Sequence, residues 1–259
     1  MNSKDRNADS CLAVLIDGDN VPSAYVKEML EEVAKYGNPT IKRIYGDFTK
    51  PHLKKWKAML LTNAITPVQQ YAYTRGKNAT DAAMIIDAMD ILYSGKVDSF
   101  CLVSSDSDFT RLATRLREAG KLVIGLGERK TPEPFIVACD RFIYVEILKK
   151  QKESEEEPND ASDDANKDKP KTNKTPAVEP INAKLVRLIK QTISDVADDD
   201  GWAFLGDVGS LLQKRKPTFD ARNYGFEKLT PLMRKINGIE IEPRETGKRR
   251  SKLIYVRAK

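Results

Sequence analysis

Two groups of acidic side chains each follow a short apolar run of the sequence. Residues 11–16 are apolar and are followed by Asp17 and Asn20, and a second run at residues 100–104 is followed by Asp106 and Asp108. Such runs are typical of buried parallel strands, whose carboxyl ends bind ligands in open α/β sheets. A carboxylate shielded from water needs a metal or a hydrogen-bond donor as its partner. The spacing therefore predicts a ligand or metal site at these strand ends.

A further acid, Asp81, lies at the start of a helical pattern. Residues 80–92 are apolar on nearly all sides, so we expect this helix to be buried. If the two acidic strand ends are neighbours, the helix start can bring Asp81 to them. Grouped carboxylates repel one another unless a cation lies between them, and an all-oxygen ligand set selects Mg²⁺ or Mn²⁺ over zinc. Such a cation lowers the pKa of its bound water and supplies a hydrolytic nucleophile without histidine or cysteine.

Simpler roles remain open for these residues. An Asp-Gly turn with Asn20 as a helix cap accounts for the first group, and a helix N-cap accounts for the second. We interpret Asp87 and Asp90 as solvated or internally bonded positions of the helix. The single histidine, His52, is near a predicted helix start away from the acids, and we interpret it as a surface residue.

An aromatic and basic stretch precedes Asp81. It contains Tyr71, Tyr73, Arg75 and Lys77. Stacking rings beside cations are what single-stranded nucleic acid needs from a binding protein. A strand end with ordinary surface charges explains the stretch equally well, so both interpretations stay open.

The elements that must position these residues alternate in type between residues 8 and 149. The strand patterns cover residues 12–16, 40–47, 64–73, 98–104, 121–126 and 141–148. The helical patterns cover residues 23–35, 52–63, 80–93, 108–119 and 134–139. This alternation predicts right-handed βαβ units and a mostly parallel sheet in one α/β domain.

The rest of the chain divides into a linker and a small domain. Residues 150–181 are acidic and poor in apolar side chains, so we expect a disordered linker. Residues 182–258 carry helical patterns at 182–196, 208–214 and 224–235, followed by two strand patterns, which predicts a winged-helix domain. Residues 181–259 hold 17 basic and 10 acidic side chains, which favours a polyanion as partner.

Composition narrows the class of protein. The chain has three cysteines in or beside apolar runs and without zinc-site spacing, so we expect free thiols in a reducing compartment. The first ten residues are polar, and no apolar run is long enough to cross a bilayer. We expect a cytoplasmic protein without membrane contact.

The order of the acidic motifs resembles a known family. DGDN at residues 17–20, TDAAMIIDAMD at 80–90 and LVSSDSDF at 102–109 resemble the NYN domain, a branch of the PIN-like ribonucleases, over residues 8–149. The resemblance implies a Rossmann-like sheet and a metal-dependent ribonuclease. Its acidic site corresponds to residues Asp17, Asp81, Asp106 and Asp108, with Asn20 as the neighbouring amide and Mg²⁺ or Mn²⁺ as the metal.

The C-terminal part resembles a second family. GWAFLGDVG at residues 201–209, KPTFDARNYG at 216–225 and KLTPLM at 228–233 resemble the LOTUS or OST-HTH domain over residues 182–258. The resemblance implies binding of RNA, G-rich forms among them, or of a helicase. The chain ends directly after its last strand, which favours RNA. The expected RNA contacts of the whole chain are Arg75, Lys77, Arg222, Tyr224, Lys228, Lys248, Arg249, Arg250 and Lys252.

Two other functions remain as alternatives. A regulatory RNA-binding protein can keep an acidic site that has no turnover. The DGD motif at residues 17–19 also resembles the nucleophile and acid of a haloacid-dehalogenase-type phosphatase, with Ser104 and Asp108 as further parts. That reading leaves the basic C-terminal domain without a role, and we rank it below the nuclease.

Overall fold

The computed structural model describes residues 10–71, 79–148, 178–245 and 252–259. They form two compact units, one in the N-terminal and one in the C-terminal part of the chain. Most of the predicted linker lies outside the described residues. Residues 178–181, which we assigned to its end, contact the C-terminal unit, because the Glu179 backbone N–H donates to the Asn223 carbonyl at 2.9 Å.

The N-terminal unit contains a six-stranded parallel sheet, and the prediction of a mostly parallel α/β domain is confirmed. Its strands are β1 (Cys11–Asp17), β2 (Asn38–Gly46), β3 (Thr66–Gln69), β4 (Ser99–Val103), β5 (Leu122–Gly127) and β6 (Arg141–Tyr144). The strand order is β3-β2-β1-β4-β5-β6. The direction of winding reverses at β1, which pairs with both β2 and β4. Doubly wound sheets open a crevice at such a reversal.

Helices cover both faces of this sheet. They are α1 (Val26–Val33), α2 (Lys54–Thr62), α3 (Ala79–Ser94), α4 (Thr110–Glu118) and α5 (Glu133–Ala138). Successive β1 residues point to opposite faces. Leu15 packs in the core beneath α3, α4 and α5, whereas Ile16 packs in the core beneath α1 and α2.

Helix α3 differs from its sequence-based expectation. Met84 and Ala88 are buried on the sheet side, but Ile86 is 64% exposed and Tyr93 is 73% exposed. The expectation that this helix is buried therefore holds for the side that faces the sheet and not for the other. A helix in an outer layer of a helix–sheet–helix packing buries only the side that faces the sheet, whatever the hydrophobicity of the other side.

The C-terminal unit packs three helices against a small antiparallel sheet. Its elements are α6 (Ala183–Val196), β7 (Ala203–Phe204), α7 (Leu205–Arg215), α8 (Leu229–Lys235), β8 (Ile239–Glu245) and β9 (Lys252–Ala258), with strand order β7-β9-β8. Its core includes Ile189, Val208, Leu232 and Val256.

The third predicted helix, residues 224–235, is shorter than expected. Ala221–Tyr224 forms a 3₁₀ turn that ends at Gly225, whose φ is +82°. A left-handed residue stops a helix, and glycine adopts this conformation without strain. The helix proper begins only at Leu229, after the extended residue Lys228. The strand β7, which we did not predict, pairs with β9.

Candidate metal centre and nucleic-acid interface

The strand order brings the two acidic groups together. Asp17 is the last residue of β1, and residues 104–108 follow β4, its parallel neighbour. Parallel neighbours end at the same edge of the sheet, so both groups lie at the reversal of winding. The sequence-based condition for their convergence, adjacency of the first and fourth strands, is met.

Asp17 is the buried member of the site, with 1% of its surface exposed. Its Oδ2 accepts hydrogen bonds from Asn20 Nδ2 at 2.6 Å and from Ser104 Oγ at 2.8 Å. Its Oδ1 accepts from the Asp19 backbone N–H at 3.2 Å. Burial raises the pKa of Asp17, and the bonds from Asn20 and Ser104 oppose this effect. These donors hold the carboxylate in one orientation.

Gly18 allows the turn after β1 to pack closely. A side-chain Cβ at this position would lie 2.9 Å from the Tyr45 carbonyl oxygen and 3.1 Å from Leu53 Cδ2. The backbone oxygen cannot give way without disturbing β2, so only glycine fits there. The turn that orients Asp17 and Asn20 is thereby pressed against the neighbouring strand.

Three further carboxylates form a cluster. Oxygen atoms of Asp81, Asp106 and Asp108 all lie within 4.8 Å of one another. Asp81 lies in the first turn of α3. Asp106 also caps the turn after β4, because its Oδ1 accepts from the Asp108 backbone N–H at 2.9 Å. The capping role and the clustered arrangement therefore coexist.

Burial and the neighbouring carboxylates change the pKa of one member of this cluster. Burial, followed by the charges of Asp17, Asp106 and Asp108, raises the pKa of Asp81 to about 6. A divalent cation would remove this repulsion. Oxygen ligands of one Mg²⁺ at about 2.1 Å lie no more than about 4.2 Å apart, so small rotations of these side chains suffice. The residues fit a hard cation such as Mg²⁺ or Mn²⁺.

Ser104 joins the buried acid to the cluster, and sequence reasoning weighed it only for the phosphatase alternative. Its hydroxyl donates to Asp17 and accepts from the Asp106 backbone N–H at 3.0 Å. The residue is fully buried. One side chain thus fixes the distance between two acidic positions. A serine directly after a buried strand and two residues before an acid was the available signal.

His52 is exposed, which confirms its interpretation as a surface residue, but it also contacts the turn that follows β1. Its Nε2 is 2.8 Å from Asp19 Oδ1. A cavity of about 330 Å³ lies there, lined by residues 18–24 and by His52, Lys55 and Trp56. His52 lies in the 3₁₀ turn Pro51–Leu53 that precedes α2. This contact was not predicted, and it arises because β2 pairs with β1, so the turn after β2 folds onto the turn after β1.

The same side of the N-terminal unit carries lysines. Lys54, Lys55 and Lys57 are exposed in α2. Within the described residues, none of the three forms an ion pair. Such charges attract a polyanion toward the cavity beside the acids.

Asp87 serves the structure and does not join the site. Its carboxylate accepts hydrogen bonds from Arg43 Nη1 and from the Tyr45 hydroxyl. Burial and this contact raise the pKa of Tyr45. The interpretation of Asp87 as an internally bonded helix residue is confirmed. Asp90, on the same helix, is exposed.

Two of the predicted RNA contacts of the C-terminal unit are largely buried. Arg222 is mostly buried and pairs with Asp220 at 2.7 Å. Tyr224 is 5% exposed, packs on Phe219 and bonds to Lys216 Nζ at 2.8 Å, so its ring offers no stacking face to a ligand. The expectation for Tyr224 is wrong because the 3₁₀ turn points its ring into the core.

The remaining predicted contacts are either exposed or not described. Lys228 and Lys252 are exposed, and Lys252 lies 4.0 Å from Glu245. The others lie outside the described residues: Arg75, Lys77, Lys248, Arg249 and Arg250.

A group of aromatic and arginine side chains on the small sheet escaped the sequence analysis. It consists of Trp202, Phe204, Arg244, Tyr255 and Arg257, and we call it the Trp202 platform. The guanidinium carbon of Arg244 lies 4.3 Å from the Tyr255 ring centre, and that of Arg257 lies 4.8 Å from the Trp202 ring. The alternation of aromatic and basic residues along β9 was a weak signal for it.

A membrane-spanning helix is absent from the described parts of the chain, since none of their helices is both long and apolar enough.

Family models match both units. The model of the NYN domain matches residues 12–148, and that of the OST-HTH/LOTUS domain matches residues 178–251. An uncharacterized protein of Methanocaldococcus jannaschii is 24% identical over 129 residues, which are 48% of this chain and 50% of that protein. The chain thus spans about half the length of this curated relative.

Two solved structures are similar to parts of this chain. A protein of unknown function from Vibrio parahaemolyticus is 20% identical, with a TM-score of 0.45, and the match covers 56% of this chain and 96% of that one. An uncharacterized protein of Nitrosomonas europaea is 28% identical, with a TM-score of 0.29, and the match covers 38% of this chain and 92% of that one.

Proposed function

Because the chain belongs to the NYN domain family and also contains an OST-HTH/LOTUS domain, we propose that it is a metal-dependent ribonuclease whose C-terminal domain recruits RNA. An NYN domain implies a PIN-like nuclease, and an OST-HTH domain implies nucleic-acid binding. The observation that carries the proposal is the cluster of Asp81, Asp106 and Asp108 beside the buried Asp17.

In this proposal the acids hold Mg²⁺ or Mn²⁺ at the sheet edge. Asp81, Asp106 and Asp108 supply oxygen ligands, and Asp17 adds negative charge behind them. The cation would polarise a phosphodiester and supply a hydroxide for its hydrolysis. Asn20 and Ser104 keep Asp17 oriented, so little reorganisation is needed when substrate arrives.

The surroundings suit a polyanionic substrate. The lysines of α2 counter the repulsion between RNA and the acidic site, and the adjacent cavity has room for part of a nucleotide. His52 and Asp19 are in contact and line this cavity. We propose that the RNA backbone passes over the N-terminal end of α2 to the acids.

The test is cleavage of end-labelled single-stranded RNA with Mg²⁺, Mn²⁺ or EDTA. We expect cleavage with metal, none with EDTA, and a loss of at least about 100-fold in Asp106→Asn, because the metal loses a charged ligand. Asp90→Asn is the matched control, since it makes the same chemical change at an exposed position.

The outcomes separate the candidate functions. RNA binding without cleavage under any metal would favour the regulatory RNA-binding alternative. Unchanged cleavage in Asp106→Asn would reject the acidic site. Membership of the NYN family favours the nuclease over the haloacid-dehalogenase-type phosphatase, and hydrolysis of a small phosphomonoester without RNA cleavage would reverse that order.

A further inference from the structure

The outer face of the small sheet differs from its inner face. Ile241 and Val256 point inward: Val256 belongs to the core of the C-terminal unit, and Ile241 packs against it. Side chains alternate along a strand, so Arg244, Tyr255 and Arg257 point to the opposite face. All three are only partly buried.

The aromatic and arginine side chains on this face contact one another. Arg244 lies over two rings, with its guanidinium carbon 4.3 Å from the centre of Tyr255 and 5.3 Å from that of Trp202. Phe204 extends the group, since its ring centre is 5.8 Å from that of Tyr255. Rings and guanidinium groups together form a contiguous, partly exposed π surface, in which the Phe204 and Tyr255 rings are inclined by 52°.

The cations of this face are already paired at their edges. Arg257 Nε donates to Glu240 at 2.8 Å, Arg244 Nε donates to Glu242 at 3.1 Å, and Lys259 lies 2.7 Å from Glu240. Three cations and two carboxylates leave little net charge. The face is therefore poorly suited to following phosphates, whereas its flat groups remain suited to stacking.

We propose that the Trp202 platform binds unpaired bases of single-stranded nucleic acid by stacking. The proposal deepens the nucleic-acid binding given above as part of the proposed function and rests on it. Every nucleobase offers a flat π face, and such faces stack on aromatic rings and on arginine planes. In a duplex these faces are covered by neighbouring base pairs, so the platform selects single strands over duplexes.

The first test measures affinity by fluorescence anisotropy. The full chain in EDTA is titrated into a labelled twelve-nucleotide single strand, as RNA and as DNA, and into the matching duplex. We expect Trp202→Leu to weaken single-strand binding by about fivefold to about 100-fold, the range for one lost base stack. Trp202→Phe keeps a ring and is the matched control, with affinity near that of the unchanged chain.

Salt dependence distinguishes stacking from phosphate contact. We expect Trp202→Leu to leave the slope of log affinity against log salt unchanged, because no phosphate contact is lost. Loss of one phosphate contact to a single strand would lower the slope by about 0.7. A reduced slope in Trp202→Leu would therefore overturn the stacking proposal.

A second readout needs no destabilising variant. The chain has two tryptophans, and Trp56 is 1% exposed in the N-terminal unit. Bases that stack on Trp202 quench its emission, so we expect stronger quenching by the single strand in the unchanged chain than in Trp202→Phe, whose remaining tryptophan, Trp56, lines the cavity beside the acids. Single-strand binding without any change of emission, together with unchanged affinity in Trp202→Leu, would refute the platform.

Failure of the platform and failure of the nuclease proposal are distinguishable. A chain that cleaves and binds RNA while both Trp202 readouts stay unchanged refutes the platform alone. A chain whose Trp202 emission is quenched by single strands, but which cleaves no RNA with Mg²⁺ or Mn²⁺, supports the platform and refutes the nuclease. Equal affinity for duplex and single strand also counts against the platform.

Discussion

Replacement of Asp81 by asparagine should stabilise the metal-free protein at neutral pH. Burial and the neighbouring carboxylates raise the pKa of Asp81 to about 6, from an ordinary value of 3.8. The folded chain therefore binds a proton more readily than the unfolded chain. Stability contributed by the protonated carboxyl is present at low pH and is lost as pH rises from about 4 to about 6. Asparagine carries no charge at any of these pH values.

The size of the effect follows from the same shift. About two pKa units correspond to at most about 3 kcal/mol at pH 7.5. Asp81 retains some contact with solvent, which screens the repulsion, so we expect Asp81→Asn to gain about 1–2 kcal/mol in EDTA. For a domain of this size the gain raises the melting temperature by about 3–8 °C.

The assay follows unfolding of the N-terminal unit by the emission of Trp56, in a Trp202→Phe background and in EDTA, between pH 4 and pH 8. The stability difference between Asp81→Asn and the parent should be small at pH 4 and reach its full size near pH 7. Saturating Mn²⁺ should reverse the order, because it stabilises the intact cluster more than the variant. Asp90→Asn should show neither effect. A variant that is less stable than its parent at pH 7.5 in EDTA would refute the repulsion argument.

Three other expectations follow from contacts around the two sites. Ser104→Ala should lower stability by about 1–3 kcal/mol and slow RNA cleavage at least about tenfold, because it leaves Asp17 buried with one hydrogen-bond donor fewer. Thermal melting measures the first effect, and initial rates of cleavage measure the second. The double change Lys54→Gln and Lys55→Gln should raise KM without lowering kcat, and should reduce the slope of log KM against log salt concentration by up to about 1.4. An unchanged slope would place the RNA path elsewhere. Tyr224→Phe should cost about 0.5–1.5 kcal/mol of stability through the lost bond to Lys216 and leave RNA affinity unchanged, which anisotropy can check.

The sequence alone determined the main members of the acidic site and the elements of the N-terminal unit, except that residues 145–148 are helical where a strand was predicted. Apolar runs and helical spacing depend on local patterns, so the six strands could be predicted without knowledge of their partners. Asp17, Asp106 and Asp108 follow such runs, and a parallel sheet brings strand ends to one edge by its construction. Asp81 could be added because it starts a helix.

Only the tertiary structure decided which side chains meet across distant segments. His52 contacts Asp19 because β2 pairs with β1, and Ser104 joins Asp17 to Asp106 because β4 pairs on the other side. A local sequence pattern predicts neither of these strand pairings.

The Trp202 platform depends on the register in which β8 and β9 pair. Tyr255 and Arg257 share the outer face with Arg244 because Arg244 pairs with Leu253 and not with its neighbour. A shift of the pairing by one residue would turn every side chain of one strand to the other face. Tyr224 points inward for a related reason, since its direction is set by a 3₁₀ turn ending at Gly225 and not by the continuous helix that the sequence pattern indicated. Side-chain direction depends on backbone geometry and strand pairing, which only the folded chain provides.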